Sequence, residues 1–252
     1  MKNLKYLFLL PLFSIVNISC EKTASEEFEE INGNADSKLI RSIAVTYAED
    51  PTENRNIVFT YDGDNRLSTF SDGINSNIFA YENGSLSNIS GQQEVSNAEE
   101  LYQSPYDAFE TGEVIEYDSK GNPSILIFFE EEYNSNTGTY DILEYRAELS
   151  YDDKPNLYYY TLEAAGLIEV MDRVKFNFSV VPQSQDIVRA RMLLPVNNLT
   201  KIIYRDDKGE LIFSINIDYV YDDQNYPTSA TITSSDQYAT SILLANFQYI
   251  NK

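Results

Sequence analysis

The sequence predicts an all-β protein: an antiparallel meander of β-hairpins forming a large twisted sheet or an open barrel or sandwich, with one or two short helices in loops. Three observations predict it. Apolar residues recur with a period of two from about Leu39 onward, a tyrosine–aspartate turn signal recurs between the alternating stretches, and helical signals are sparse.

Taken in chain order, "ILIFF" (Ile125–Phe129) is apolar throughout and predicts a strand buried on both faces. Tyr145, Ala147, Leu149 and Tyr151 alternate, and so do Val174, Phe176, Phe178 and Val180. The longest case is Leu211, Phe213, Ile215, Ile217, Tyr219 and Tyr221, and the chain ends on Leu243, Ala245, Phe247 and Tyr249. A period of two places one face of each strand on a core and the other toward water. Two stretches read as helix. Ser96 to Phe109 has Ser96 as cap, Glu99 three residues on, and Pro105 as stop. Thr161 to Val174 is the second, weakened by Gly166.

The turn signal opens with "TYDGDNRL" (Thr60–Leu67) and returns at Tyr81 ("YENGSL"), Tyr117 ("YDSKGNP"), Tyr204 ("YRDDKGEL") and Tyr221 ("YDDQNYP"). Each copy runs from an apolar strand through Tyr and a few polar residues to Gly or Asn, then Leu or Pro. An Asp side chain bonds nearby amides, and Gly and Asn accept positive φ, so the unit reads as a hairpin turn. A catalytic carboxylate pair needs two acids held apart around a substrate. The adjacent pairs Asp152–Asp153, Asp206–Asp207 and Asp222–Asp223 do not supply that locally. Asp62, Asp64 and Asn65 begin a run of calcium-type oxygen ligands, but Arg66 interrupts it and no bidentate Glu closes a twelve-residue loop, which leaves weak calcium binding open. The copies are unevenly spaced, unlike a solenoid with its fixed period.

Composition narrows the function classes. Asp and Glu number 40 against 18 Lys and Arg, a formal charge of −22, which repels phosphate backbones and argues against a nucleic-acid partner. With no His, histidine triads, the usual zinc sets and histidine pH switching are excluded. The expectation is no catalytic residue, no metal and no cofactor. Twenty Tyr and 13 Phe with no Trp make much of the packing surface phenolic.

The amino end carries Lys2 and Lys5, then the apolar run "YLFLLPLFSIVNIS", then Cys20, the chain's only cysteine. The run falls short of the ~20 apolar residues that span a bilayer, and with Ser19 before the cut it reads as an export signal. "NISC" resembles the lipobox of bacterial lipoproteins, with Asn17 where that family usually has Leu. The resemblance implies that Cys20 becomes the first residue of the mature chain and is acylated, its acyl chains being the bilayer contact. The expected organisation is a signal peptide over 1–19, an acidic disordered tether over 20–38 and one β-hairpin-repeat domain over 39–252. The acids after Cys20 also resemble the surface-export tag of Bacteroidetes lipoproteins, starting further from the cysteine than is usual there.

Two further resemblances rest on the repeated stretches. The "YD-x-x-G-x-L" unit is similar to the YD, or Rhs-type, repeat that makes β-hairpins in bacterial surface proteins. "YDDKPN" (Tyr151–Asn156), "NNLTKI" (Asn197–Ile202) and "YDDQNYPTSATI" (Tyr221–Ile232) resemble, in the same order, a group of Bacteroidetes lipoproteins that share a domain of unknown function. That likeness implies an envelope location and a β-hairpin fold and brings no catalytic site; the location expected is the outer membrane, lipid-anchored, on its periplasmic or cell-surface face. The function expected is a membrane-anchored, non-catalytic binding or adaptor module with a protein or glycan ligand. A glycan-binding accessory role, with Tyr158, Tyr159 and Tyr160 stacking on sugar rings, is one alternative. A glycoside hydrolase built on carboxylates alone is the other.

Overall fold

The computed structural model describes residues 22–33, 35–91, 95–98, 106–107, 113–177 and 187–252. A first helix, α1 (Ala24–Asn32), leads into β1 (Lys38–Tyr47), β2 (Arg55–Tyr61), β3 (Leu67–Ser71), β4 (Ser76–Glu82), β5 (Ser85–Ser90) and β6 (Val95–Asn97). Then come β7 (Tyr106–Asp107), β8 (Glu113–Tyr117), β9 (Pro123–Asn134) and β10 (Thr139–Pro155). Two short helices, α2 (Tyr159–Ala164) and α3 (Leu167–Arg173), are followed by β11 (Lys175–Asn177) and β12 (Ile187–Arg189). The chain closes with β13 (Asn197–Arg205), β14 (Leu211–Tyr221), β15 (Pro227–Asp236) and β16 (Thr240–Asn251).

Thirteen of these strands form one antiparallel sheet in the order β6-β5-β4-β3-β2-β1-β16-β15-β14-β13-β10-β9-β8. Two meanders meet in its middle: β1 pairs with β16 from Lys38↔Asn251 to Tyr47↔Leu243. Among the described residues the sheet stays open, with β6 and β8 as its edges. The strands β12, β11 and β7 make a separate small sheet in which β7 runs parallel to β11.

Four of the five repeated turns share one geometry, while the Tyr81 copy is a two-residue turn in which Glu82 pairs with Ser85 and both Asn83 (φ 52°) and Gly84 (φ 90°) are left-handed. In each of the four, the Asp amide and the residue four positions on close the loop: Asp62 N donates to Arg66 O, Asp118 N to Asn122 O, Asp206 N to Glu210 O and Asp222 N to Tyr226 O, at 2.8–3.0 Å. The Asp Oδ1 accepts the amides two and four residues on, as from Gln224 and Tyr226 to Asp222 at 2.9 Å. The third residue after the Asp takes positive φ, at Asn65 (60°), Gly121 (83°), Gly209 (79°) and Asn225 (64°). Each turn is flanked by a register shift at its Tyr, so each is a bulged hairpin whose Asn or Gly supplies the left-handed residue. The Tyr151 stretch differs. There β10 runs on to Pro155 with no reversal, and Asp152 Oδ1 instead accepts from Asn198 N on β13 at 3.2 Å.

Pairing registers place the turns after Tyr61, Tyr81, Tyr117 and Tyr221 at one end of the sheet and the turn after Tyr204 at the other. At the first end the helices fill the concave face. Thr161 of α2 accepts the amide of Ile40 at 2.9 Å, beside the register shift between Ile40 and Ser42. Tyr61 donates its hydroxyl to Ile40 O at 2.7 Å and Tyr81 to Leu67 O at 2.7 Å. These phenols bury their rings in the core and spend their polar tips on strand carbonyls.

Three expectations need correcting. Ala24–Asn32, read as disordered tether, is a helix with a Thr23–Glu26 capping box, and Phe28 is fully buried. Phe28 stacks on Tyr159 with centroids 3.6 Å apart, and this apolar anchor outweighs the acidic composition. The helix expected over Ser96–Phe109 meets strand at Val95–Asn97 and at Tyr106–Asp107, its other positions lying outside the described residues. "ILIFF" is half-buried rather than enclosed, because only β8 lies beyond β9 at that margin. The second expected helix is present but broken in two by Gly166 (φ 74°), whose missing side chain lets the bend sit on Leu86. Phe178 and Val180 lie outside the described residues.

Candidate functional site

Where the helices leave the concave face uncovered, the sheet floor is hollow. Ala230 of β15 and Ala245 of β16 are register partners, flanked in the same row by Tyr219 of β14 and Val45 of β1. Two methyl groups side by side, between large neighbours, leave a depression. Ile43, Ile57, Ile217, Ile232 and Phe247 wall it, and Leu157, Tyr158 and Leu162 roof it at the start of α2 together with Leu194 and Pro195 before β13. The half-open cavity measures about 570 Å3, and among the described residues no Asp, Glu, Lys or Arg lines it. Ligand pockets typically run to about 300–1,000 Å3.

Its polar margin is made of asparagines, each held by the backbone it organises. Asn156 donates to Pro195 O at 2.7 Å, and Asn198 Oδ1 accepts the amide of Leu157 at 2.8 Å. Asn197 donates to Lys154 O at 2.9 Å. The fully buried Asn122 accepts the amides of Val196 and Asn197 at 2.8 and 3.2 Å and donates to Asp118 and Asn197. Three chain passages, 118–122, 154–158 and 195–198, are thereby clamped into one rim. Asn198 also donates to Asp152, which accepts the Tyr221 hydroxyl. Burial pushes the Tyr219 and Tyr221 phenols well above their ordinary value, which keeps both protonated well into the alkaline range. The arrangement offers hydrocarbon walls and an asparagine rim, with the carboxylates of Asp118 and Asp152 bonded to the rim asparagines but not among the described lining residues.

The sequence-predicted candidates lie elsewhere. Tyr159 and Tyr160 belong to the core around Phe28, 1% and 9% exposed, which removes them from any sugar platform. Tyr158 alone of the three lines the cavity. Asp62 accepts the amides of Asp64 and Arg66 and pairs with the Arg66 guanidinium at 2.7 Å, so the calcium-type run is already engaged. Among the described residues no cluster of three or more His, Cys, Asp or Glu is placed to hold a metal. No described helix is long and apolar enough to cross a membrane. Cys20 lies outside the described residues. Sequence reasoning missed the Ala230–Ala245 floor and the asparagine rim; the "NNL" at Asn197 was visible as a motif without a role.

No family model matches the chain and no curated protein is significantly similar to it, so the likenesses to the YD-repeat and Bacteroidetes lipoprotein families have no support there. Among solved structures, the chain is similar to a porin-like protein from Bacteroides uniformis, at 12% identity and TM-score 0.38 over 86% of this chain and 98% of that one. It is similar to a porin-like protein from Bacteroides vulgatus at 10% identity and TM-score 0.37, covering 84% and 99%. A LolA superfamily protein from Nitrosomonas europaea matches at 11% identity and TM-score 0.26, covering 92% and 94%. At TM-scores this low, none of these likenesses carries a functional assignment.

Proposed function

We propose that the protein is a non-catalytic binding module of the bacterial outer membrane, anchored through acylated Cys20, that carries an apolar, hydrocarbon-like ligand in the cavity under α2. The observation that supports it is the lining. In a chain of formal charge −22, the described residues that wall a cavity of about 570 Å3 include no charged side chain. A sugar or other polar ligand would leave its hydroxyls facing aliphatic walls, at a cost of roughly 1–3 kcal/mol for each group without a partner. A hydrocarbon gains instead about 0.8 kcal/mol for each methylene taken from water.

Binding of phenylnaphthylamine, an uncharged dye that brightens in apolar surroundings, tests the reading. The wild-type protein is expected to bind it saturably. Ala230→Phe, which fills the floor, is expected to weaken binding at least about tenfold, ~1.4 kcal/mol. Thermal unfolding of the variant checks that the fold is kept. Absence of saturable binding to the wild type, or equal binding by a folded Ala230→Phe protein, would refute the proposal.

A further inference from the structure

A second depression lies beside the first, on the side where the chain emerges toward Cys20. Arg191, its side chain 8% exposed, pairs with Glu27 of α1 at 3.1 Å and with Asp172 of α3 at 3.6 Å. It also donates to the backbone oxygen of Lys22. Lys22 is thus held against the body, and Cys20 stands two positions before it in the sequence. Next to Arg191 opens a groove of about 280 Å3 between α1, the β8–β9 turn and the segment before β13. Its exposed members are apolar or amphipathic: Ile31 (36%), Tyr117 (37%) and Met192 (42%). Leu194 belongs to both the groove and the large cavity, so one side chain is common to the two walls.

Charge separates this patch from the rest of the surface. Among the described residues the charged side chains lining the groove are Lys120, Arg191 and Glu27, and with Asp172 also paired to Arg191 the patch is close to neutral in a chain with 40 acids and 18 bases. An anionic bilayer surface repels the bulk of the protein and tolerates this patch. Tyrosine rings favour the headgroup level, and isolated apolar side chains enter just below it.

We propose that this groove is the face laid on the lipid bilayer and the entrance through which an apolar ligand passes between the bilayer and the cavity, with Leu194 as the dividing wall. The inference rests on the reading of the cavity and of Cys20 given above. It adds which surface meets the membrane and by which route the ligand travels.

The test uses the acylated full chain on phospholipid vesicles. Because Cys20 is occupied by lipid, Met192→Cys and Tyr238→Cys each present one free thiol for a fluorescent label; Tyr238 lies in the β15–β16 turn at the opposite end of the sheet and is 87% exposed. Nitroxide-bearing lipids are expected to quench the label at position 192 strongly and that at 238 little. Equal quenching, or stronger quenching at 238, overturns the proposed face. Met192→Glu is expected to slow uptake of phenylnaphthylamine from vesicles about tenfold or more, with unchanged affinity for dye supplied from solution. Unchanged uptake by that variant overturns the entrance while leaving the cavity reading intact; failure of the wild type to bind dye from solution overturns both.

Discussion

Asp222 organises its turn and joins it to the start of the sheet. Its Oδ1 accepts the amides of Gln224 and Tyr226, and its Oδ2 takes the Lys38 ammonium at 2.6 Å, with Lys38 only 8% exposed. Burial by itself raises the Asp222 carboxyl, but the Lys38 ammonium and the two amides outweigh it and hold the pKa below the ordinary value. A folded value below the unfolded one of about 3.9 gives stability that is fully present above that pH and is lost as pH falls through the folded value. Asp222→Asn is expected to cost about 1–3 kcal/mol at neutral pH, because it strands a largely buried ammonium whose partner is partly exposed. The deficit relative to wild type shrinks once both proteins are measured near pH 3. Urea unfolding at the two pH values checks this; a deficit of the same size at both would remove the ionised carboxylate as its source. The turn itself was legible, since Asp and Asn stand where the geometry requires them. The pairing with Lys38, 184 residues away in sequence, was not.

At the scale of elements, α1 shows how composition misleads. The stretch after the cysteine, with six acids among its seventeen residues, argues for a solvated tether, yet Thr23-x-x-Glu26 is a capping box and Phe28 provides an apolar anchor. A nine-residue helix does not stand alone in water, so its order depends on Phe28 packing against Tyr159, Tyr160 and Tyr226. Phe28→Ala is expected to destabilise the protein by about 3–5 kcal/mol. It is also expected to strip hydrogen-exchange protection from the Ala24–Asn32 amides before the sheet opens. Retained protection in that variant would mean that other contacts suffice to hold the helix. Helices α2 and α3 were more legible: the stretch from Thr161 was visible, and Gly166 marks the break between them. What could not be read is that Thr161 and Tyr61 both meet the backbone of Ile40, since those contacts sit beside a strand irregularity in β1.

Buried or half-buried phenols recur across the whole molecule. Burial pushes Tyr61 and Tyr81 up to about 12, and pushes Tyr151, Tyr159, Tyr219, Tyr221, Tyr226 and Tyr249 still higher. For a phenol whose folded pKa is raised, the stability is fully present below the unfolded value of about 10 and is lost as pH rises through the folded value. The protein is therefore expected to resist alkali up to about pH 10 and then to unfold cooperatively by about pH 12. The tyrosinate absorbance of these eight phenols should appear in step with the loss of circular dichroism. A gradual titration completed while the β signal persists would show these rings to be accessible, contrary to their burial.

The sequence by itself determined the all-β class, the identity and chemistry of the reversing turns, and the excess of acid over base. These are local or additive properties: alternation reports which side of a strand is apolar, and an Asp with an Asn or Gly three residues on specifies its own loop. Only the tertiary structure decided that β1 pairs with β16, that α1 is docked, that Tyr159 and Tyr160 are core, and that a cavity exists. The physical reason is register. An alanine in one strand is only a small residue until the strand beside it brings a second alanine to the same row, and space for a ligand is a property of that row together with the helix above it.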